Sequence, residues 1–137
     1  MGEEPAHRFA LRVYFEDTDA GGIAYHASYL RFAERARTEW LRDQGLPHRQ
    51  LIDQWGLIFV VKRLAIEYHR PARLDESLTV VTRPRHIGAA SVTLLQAIRR
   101  GEEEIATLEV VLACVGRATG RPGRIPAALR ALLPAHP

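Results

Sequence analysis

The sequence predicts an α+β fold in which a five-stranded antiparallel sheet curves around one long helix. Three observations predict it. Residues 28–44 carry the one long stretch of helical periodicity, four later segments are rich in Val, Ile, Leu and Thr, and the links between those segments are too short for parallel crossovers. At 137 residues, with 47% hydrophobic and 26% charged residues, the chain has the size and composition of one ordinary globular domain. A single domain over 1–137 is therefore expected, with its core at about 9–117 and a short tail at 118–137.

The elements follow in order. Phe9, Leu11, Val13 and Phe15 alternate with Arg12, Tyr14 and Glu16, the period-2 pattern of a strand with one buried face, so a strand is expected at 9–16. Gly21 and Gly22 then break regular structure and permit positive φ or the close approach of another group, which sets a loop at 18–26. From Ser28 the spacing becomes helical. Tyr29, Ala33, Ala36 and Trp40 recur at three and four residues, Phe32 and Leu41 widen the stripe, and Gly45 supplies the stop. The two alanines let a sheet approach the helix backbone closely. A shorter helix is expected at 48–55, between Pro47 and Gly56. Strands are expected at 57–69, 77–85, 90–100 and 104–116, and the tail at 125–133 adds a last helical turn or two.

The formal charge of +3 and the pI near 9.5 come from arginine, since Lys62 is the sole lysine. Those arginines alternate with acids along the chain instead of gathering on one face, so no nucleic-acid partner is expected. Cys114, alone and inside the apolar run 110–115, reads as a reduced core thiol. Residues 1–8 hold no apolar segment of signal-peptide length, and no stretch approaches the roughly 20 apolar residues that span a bilayer. A cytoplasmic protein without a membrane span is expected.

Chemistry concentrates between the first strand and the long helix, in the run Glu16-Asp17-Thr18-Asp19-Ala20-Gly21-Gly22-Ile23-Ala24-Tyr25-His26-Ala27-Ser28-Tyr29. It is not an EF-hand loop, which requires an oxygen ligand at Gly21 and a Glu at Ser28. It is not the Asp-x-Asp motif of the haloacid-dehalogenase-like phosphatases, where Thr or Val stands in place of Gly21 and an alternating α/β chain follows. The six histidines show no H-x-x-x-H spacing and there is no C-x-x-C pair, so no metal is expected; no cofactor is expected either. G-x-S-x-G, G-x-G-x-x-G and Walker patterns are absent as well.

Across its length this run, with the helix Tyr29-Leu30-Arg31-Phe32 through Glu34-Arg35-Ala36-Arg37-Thr38-Glu39, resembles the signature of the 4-hydroxybenzoyl-CoA thioesterase family of hotdog proteins, most nearly its small bacterial branch associated with the Tol-Pal envelope system. The resemblance covers most of 9–117. It implies a hotdog fold and hydrolysis of a fatty or aromatic acyl-CoA to the free acid and CoA. It implies that the second aspartate of the motif, Asp19, is catalytic, with Asp17 a structural neighbour and His26 assisting at the thioester oxygen or the water. A carboxylate ahead of a helix N-terminus is favoured in its ionised form, which suits a nucleophile or general base. The N–H groups at Tyr25, His26 and Ala27 lack intrahelical acceptors and can face an oxyanion, while Gly22 permits close approach of substrate.

Arg83 and Arg85, with His86, precede Gly88-Ala89-Ala90-Ser91, a region that approaches the CoA phosphates in related hotdog enzymes. Arg83, Arg85 and Ser91 are thus expected at the substrate, although Ala89 stands where the family often has a basic residue. Glu34 also matches the family helix, and a solvated i,i+3 pair with Arg37 explains it equally well. The resemblance implies a homodimer at least, and a homotetramer is expected, with the active site at a subunit interface. Acyl carrier protein is kept beside acyl-CoA as a second acyl donor. Two other readings stay open: a hotdog dehydratase, and a non-catalytic acyl-binding or scaffold protein.

Overall fold

The first strand is shorter than its alternation predicts, and the reason lies in one side chain. In the computed structural model, which describes residues 6–131, β1 is His7–Arg12. Val13 still pairs, its N–H donating to Glu76 O at 2.9 Å and its carbonyl accepting Asp75 N, and it is wholly buried. Beyond it the chain turns. Asp17 Oδ2 accepts the Tyr14 amide at 2.8 Å and Asp17 N donates to Tyr14 O at 2.9 Å, which closes a 3₁₀ turn over Phe15–Asp17. The predicted inward Phe15 is therefore 81% exposed, while Asp17 is 2% exposed.

Helix α1 spans Ser28–Asp43 and buries the predicted stripe of Tyr29, Phe32, Ala33, Ala36, Trp40 and Leu41. Gly45 ends it at φ 79°, a left-handed conformation open to glycine at no steric cost, with Gly45 N and Leu46 N donating back to Arg42 O and Leu41 O. The shorter helical segment appears as a turn at His48–Gln50 that runs into a wider π-type turn at Leu51–Trp55.

The remaining strands are β2 (Leu57–Tyr68), β3 (Ser77–Ile87), β4 (Ser91–Arg100) and β5 (Glu103–Gly116). All pairings are antiparallel, in the order β1-β3-β4-β5-β2, so the first two strands in sequence become the two edges of the sheet. Alternate residues Leu78 and Val80 of β3, Val92, Leu94 and Ile98 of β4, and Leu108, Val110, Leu112 and Cys114 of β5 join the α1 stripe in one core. Burial raises the pKa of the Cys114 thiol. The tail forms a helical turn at Ala127–Arg130, and the part of its expected helix beyond 131 lies outside the described residues. Among the described residues no helix is long and apolar enough to cross a membrane.

One polar residue breaks the pattern. Arg37, expected in a solvated pair with Glu34, is 7% exposed, and its Nη1 donates to Gln96 Oε1 at 3.1 Å; Glu34 is exposed on the neighbouring face. Gln96 Nε2 in turn donates to Ala33 O and Thr82 Oγ1, both at 3.0 Å, which ties the middle of α1 to β3 and β4. Burial lowers the Arg37 pKa, and the Glu34 carboxylate opposes that shift.

Candidate active site

Residues 18–24 form a small loop closed on itself. Thr18 bridges Ala24, Asp19 N donates to Ile23 O at 2.9 Å, and Gly22 N donates to Asp19 O at 3.1 Å. Gly22 sits at φ 80° with open space where a Cβ would stand. Asp19 Oδ1 accepts the Gly21 amide at 2.8 Å, an Asx turn that fixes the carboxylate over the loop, and among the described residues no group donates to Oδ2. Gly21 leaves little room there: an added Cβ would lie 3.3 Å from Asp19 Oδ1.

Beneath this loop Asp17 acts as its anchor. Its carbonyl accepts Tyr25 N at 2.8 Å and Ser28 Oγ at 2.9 Å, and Ser28 Oγ accepts Arg31 Nη2 at 3.0 Å. Arg31 Nη2 stands 4.0 Å from Asp17 Oδ1, a buried oxygen with no hydrogen bond among the described residues. The first turn of α1 and the end of β1 are thereby held together.

The cleft beside Asp19 has a volume of about 360 Å³ and brings Asp19 and His26 together with Tyr29, Tyr68, His69 and Arg70. Tyr68 Oη donates to His26 O at 2.8 Å, and its ring meets Tyr29 edge-on at 5.3 Å. The His26 ring lies 4.3 Å from that of Tyr25. Tyr29 Oη accepts the Ala72 amide at 3.0 Å, and burial of the phenol raises its pKa while that hydrogen bond opposes the rise. Tyr29 remains a neutral phenol whose own proton is available to an acceptor in the cleft.

The expected set of three amide donors is corrected to two. Tyr25 N–H is already spent on Asp17 O, whereas among the described residues no acceptor takes the amides of His26 and Ala27. Arg83, Arg85 and Ser91 are not brought to this cleft within one chain. Arg85 occupies a bulge between Pro84 and His86 and pairs with Glu109 at 3.0 Å, and Arg83 flanks a separate hollow of about 340 Å³ with Leu95 and Arg99. Ser91 starts β4, its carbonyl accepting Gly88 N at 2.7 Å.

Sequence reasoning missed the far wall, Tyr68-His69-Arg70-Pro71. The available signal was its density: an aromatic, an imidazole and a guanidinium in consecutive positions, with a proline ending the strand.

The profile of the Thioesterase-like superfamily matches residues 13–133. The chain is 42% identical over 123 residues to the acyl-CoA thioesterase YbgC of Haemophilus influenzae, covering 90% of each chain. It is 40% identical over 120 residues to the acyl-CoA thioester hydrolase YbgC of Escherichia coli, covering 87% of this chain and 89% of that one. Among solved structures, a probable thioesterase from Bartonella henselae superposes with a TM-score of 0.85 at 39% identity, covering 89% of this chain and all of the other.

Proposed function

Because the chain belongs to the Thioesterase-like superfamily of hotdog proteins, we propose that it hydrolyses acyl-CoA thioesters with Asp19 as its catalytic carboxylate. One observation carries the assignment to Asp19: its carboxylate shares a cleft with His26 beside the N-terminus of α1, where two backbone amides lack acceptors among the described residues.

The chemistry follows from that arrangement. The thioester carbonyl sits against the amides of His26 and Ala27, which with the positive end of the α1 dipole stabilise the oxyanion. Asp19 Oδ2 either attacks the carbonyl carbon or takes a proton from an attacking water, while the Gly21 amide holds Oδ1 in place. The His26 side chain orients the water or the carbonyl oxygen. Gly22 and Tyr25, next to the lining residues Ile23 and His26, are assigned to substrate binding. The leaving thiol, with a pKa of about 8.5, departs as thiolate without a strong general acid, so one carboxylate and an oxyanion site suffice.

Arg83, Arg85 and Ser91 are assigned to the phosphorylated end of CoA, reached across a subunit boundary since they line no part of the Asp19 cleft of their own chain. The β2 edge supports a dimer. Val60, Val61 and Tyr68 on it are 40%, 50% and 47% exposed, and among the described residues no strand pairs with its outer side. A homodimer, extended to a homotetramer, working in the cytoplasm on acyl-CoA or on acyl carrier protein, completes the reading.

Thiol release from short-chain, long-chain and aromatic acyl-CoAs tests it. Wild type is expected to turn over at least one class, and Asp19→Asn to lose about 10²- to 10⁴-fold in kcat. No thiol release from any substrate overturns the enzyme; an unimpaired Asp19→Asn overturns the site.

A further inference from the structure

The segment 69–76, which links β2 to β3, crosses behind the catalytic loop as a strap. On one side it holds that loop. Ala72 O accepts Ala24 N at 2.8 Å, Arg73 bridges Ile23, and Ala72 N donates to Tyr29 Oη at 3.0 Å. On the other side the strap is gripped by one guanidinium. Arg100 Nη1 donates to Pro71 O at 3.0 Å and to Glu76 Oε1 at 2.8 Å, so it touches the strap one residue before Ala72 and again at its end. Arg100 Nη2 donates to Glu103 Oε1 at 2.9 Å, and the other oxygen of Glu103 pairs with Arg70 Nε. Glu76 Oε1 also accepts Arg73 N at 2.8 Å. Three points on the strap, Arg70, Pro71 and Glu76, thus converge on Arg100 and its partner Glu103.

We propose that Arg100 is a positioning residue for catalysis, acting through the 69–76 strap to hold the Asp19 loop and Tyr29 in register with the oxyanion amides. The proposal rests on the assignment of Asp19 as the catalytic carboxylate. Arg100 does not itself line the Asp19 cleft; it meets the lining at the Pro71 carbonyl. Its effect is transmitted by hydrogen bonds of fixed direction: Arg100 to Pro71 O, then the adjoining Ala72 to Ala24 N and Tyr29 Oη. A guanidinium is required because one rigid fork satisfies a carbonyl and two carboxylates at once, which a lysine ammonium does only in part.

Both ends of the chain of contacts are open to measurement in the full-length protein. Arg100→Ala, Arg100→Lys and Glu76→Gln are compared with wild type in steady-state thiol release and in amide hydrogen exchange of the peptides covering 19–24, 69–76 and 92–98. Arg100→Ala is expected to speed exchange at both 19–24 and 69–76 while leaving 92–98 protected. Its kcat should fall about tenfold, in keeping with the sensitivity of catalysis to sub-ångström misplacement, with KM within about twofold of wild type. Arg100→Lys should recover part of both losses. Faster exchange confined to 69–76, with kcat unchanged, overturns the proposal. So does a loss of kcat in Arg100→Ala that Arg100→Lys shares in full. Should Arg100→Ala fail to fold, Glu76→Gln decides by the same readouts, since it weakens one arm of the grip and keeps the others. Exchange at 19–24 does not depend on turnover, so failure of the strap and failure of the Asp19 assignment give different results.

Discussion

Asp17 and Asp19 stand two residues apart and live in opposite environments. Asp17 is 2% exposed and accepts from three groups: its carboxylate caps Tyr14 N, and its carbonyl receives Tyr25 N and Ser28 Oγ, with Arg31 4.0 Å from its other oxygen. Asp19 is exposed on a glycine loop, held by one backbone amide at Oδ1. On the proposed mechanism the same side chain serves as an anchor in one place and as a reagent in the other. What separates them is the 3₁₀ turn, which swings Asp17 under the loop and leaves Asp19 on top. A site built this way places most of its anchoring hydrogen bonds on Asp17 and leaves the Asp19 carboxylate with one.

Exchanging the two lesions breaks the comparison most severely. Asp19→Ala is expected to lose at least about 100-fold in kcat while its urea midpoint shifts by the equivalent of under about 0.5 kcal/mol, as for a surface change. Asp17→Ala should instead cost about 1–3 kcal/mol of stability, since Tyr14 N–H loses its part-buried acceptor and a 2% exposed side chain is removed. Equal effects on stability for the two variants, in denaturant titrations read by circular dichroism, remove the distinction between anchor and reagent.

The core offers the next largest test. Gln96→Leu leaves the Arg37 guanidinium, the Ala33 carbonyl and the Thr82 hydroxyl without their shared partner, and about 2–4 kcal/mol of stability is expected to go with it. The activity per folded molecule should stay near that of wild type. Replacing Arg37 and Gln96 together by Met and Leu should restore much of the stability, which a double-mutant cycle measures.

These two tests fall where the sequence was least legible. The helix and four strands were readable within about three residues because their apolar positions repeat with the period of the element that buries them. The end of β1 was not, because Phe15 continues an alternation that the Tyr14–Asp17 hydrogen bond overrides. Arg37 has the spacing of a surface ion pair with Glu34, and only the register of α1 against β4 brings it to Gln96. In the candidate site, the Asp19-to-His26 run was legible as a local pattern. The wall at Tyr68-His69-Arg70-Pro71 was not, because it reaches the cleft through the pairing of β2 with β5 and the return of the strap, both long-range events.

A smaller effect sharpens the contrast within the loop itself. Gly22→Ala meets no neighbour but must hold a Cβ at φ 80°, which costs about 1 kcal/mol. Since the strain falls on the turn that carries Asp19 and not on the Asp17 anchor, kcat should drop several-fold with a change in melting temperature of only a few degrees. A loss of stability without loss of kcat points to a loop that merely connects.

The least effect concerns the acid side of the strap. The Glu76 carboxyl is held below its ordinary pKa, first by the Arg73 amide, against an opposing contribution from burial, and then by Arg100. A lowered folded-state pKa means that Glu76 contributes its stability in full above the unfolded value, about 4.3, and loses it as the pH falls through the folded value. Wild type should therefore be slightly more stable than Glu76→Gln at neutral pH, and the two melting curves should converge as the pH drops below about 4. Glutamine keeps an oxygen for Arg73 N and Arg100 Nη1, so the difference isolates the charge from the hydrogen bonds. Curves that run parallel from neutral to acid pH would mean that the carboxylate charge adds nothing to the grip on the strap, leaving its geometry alone to support the loop above.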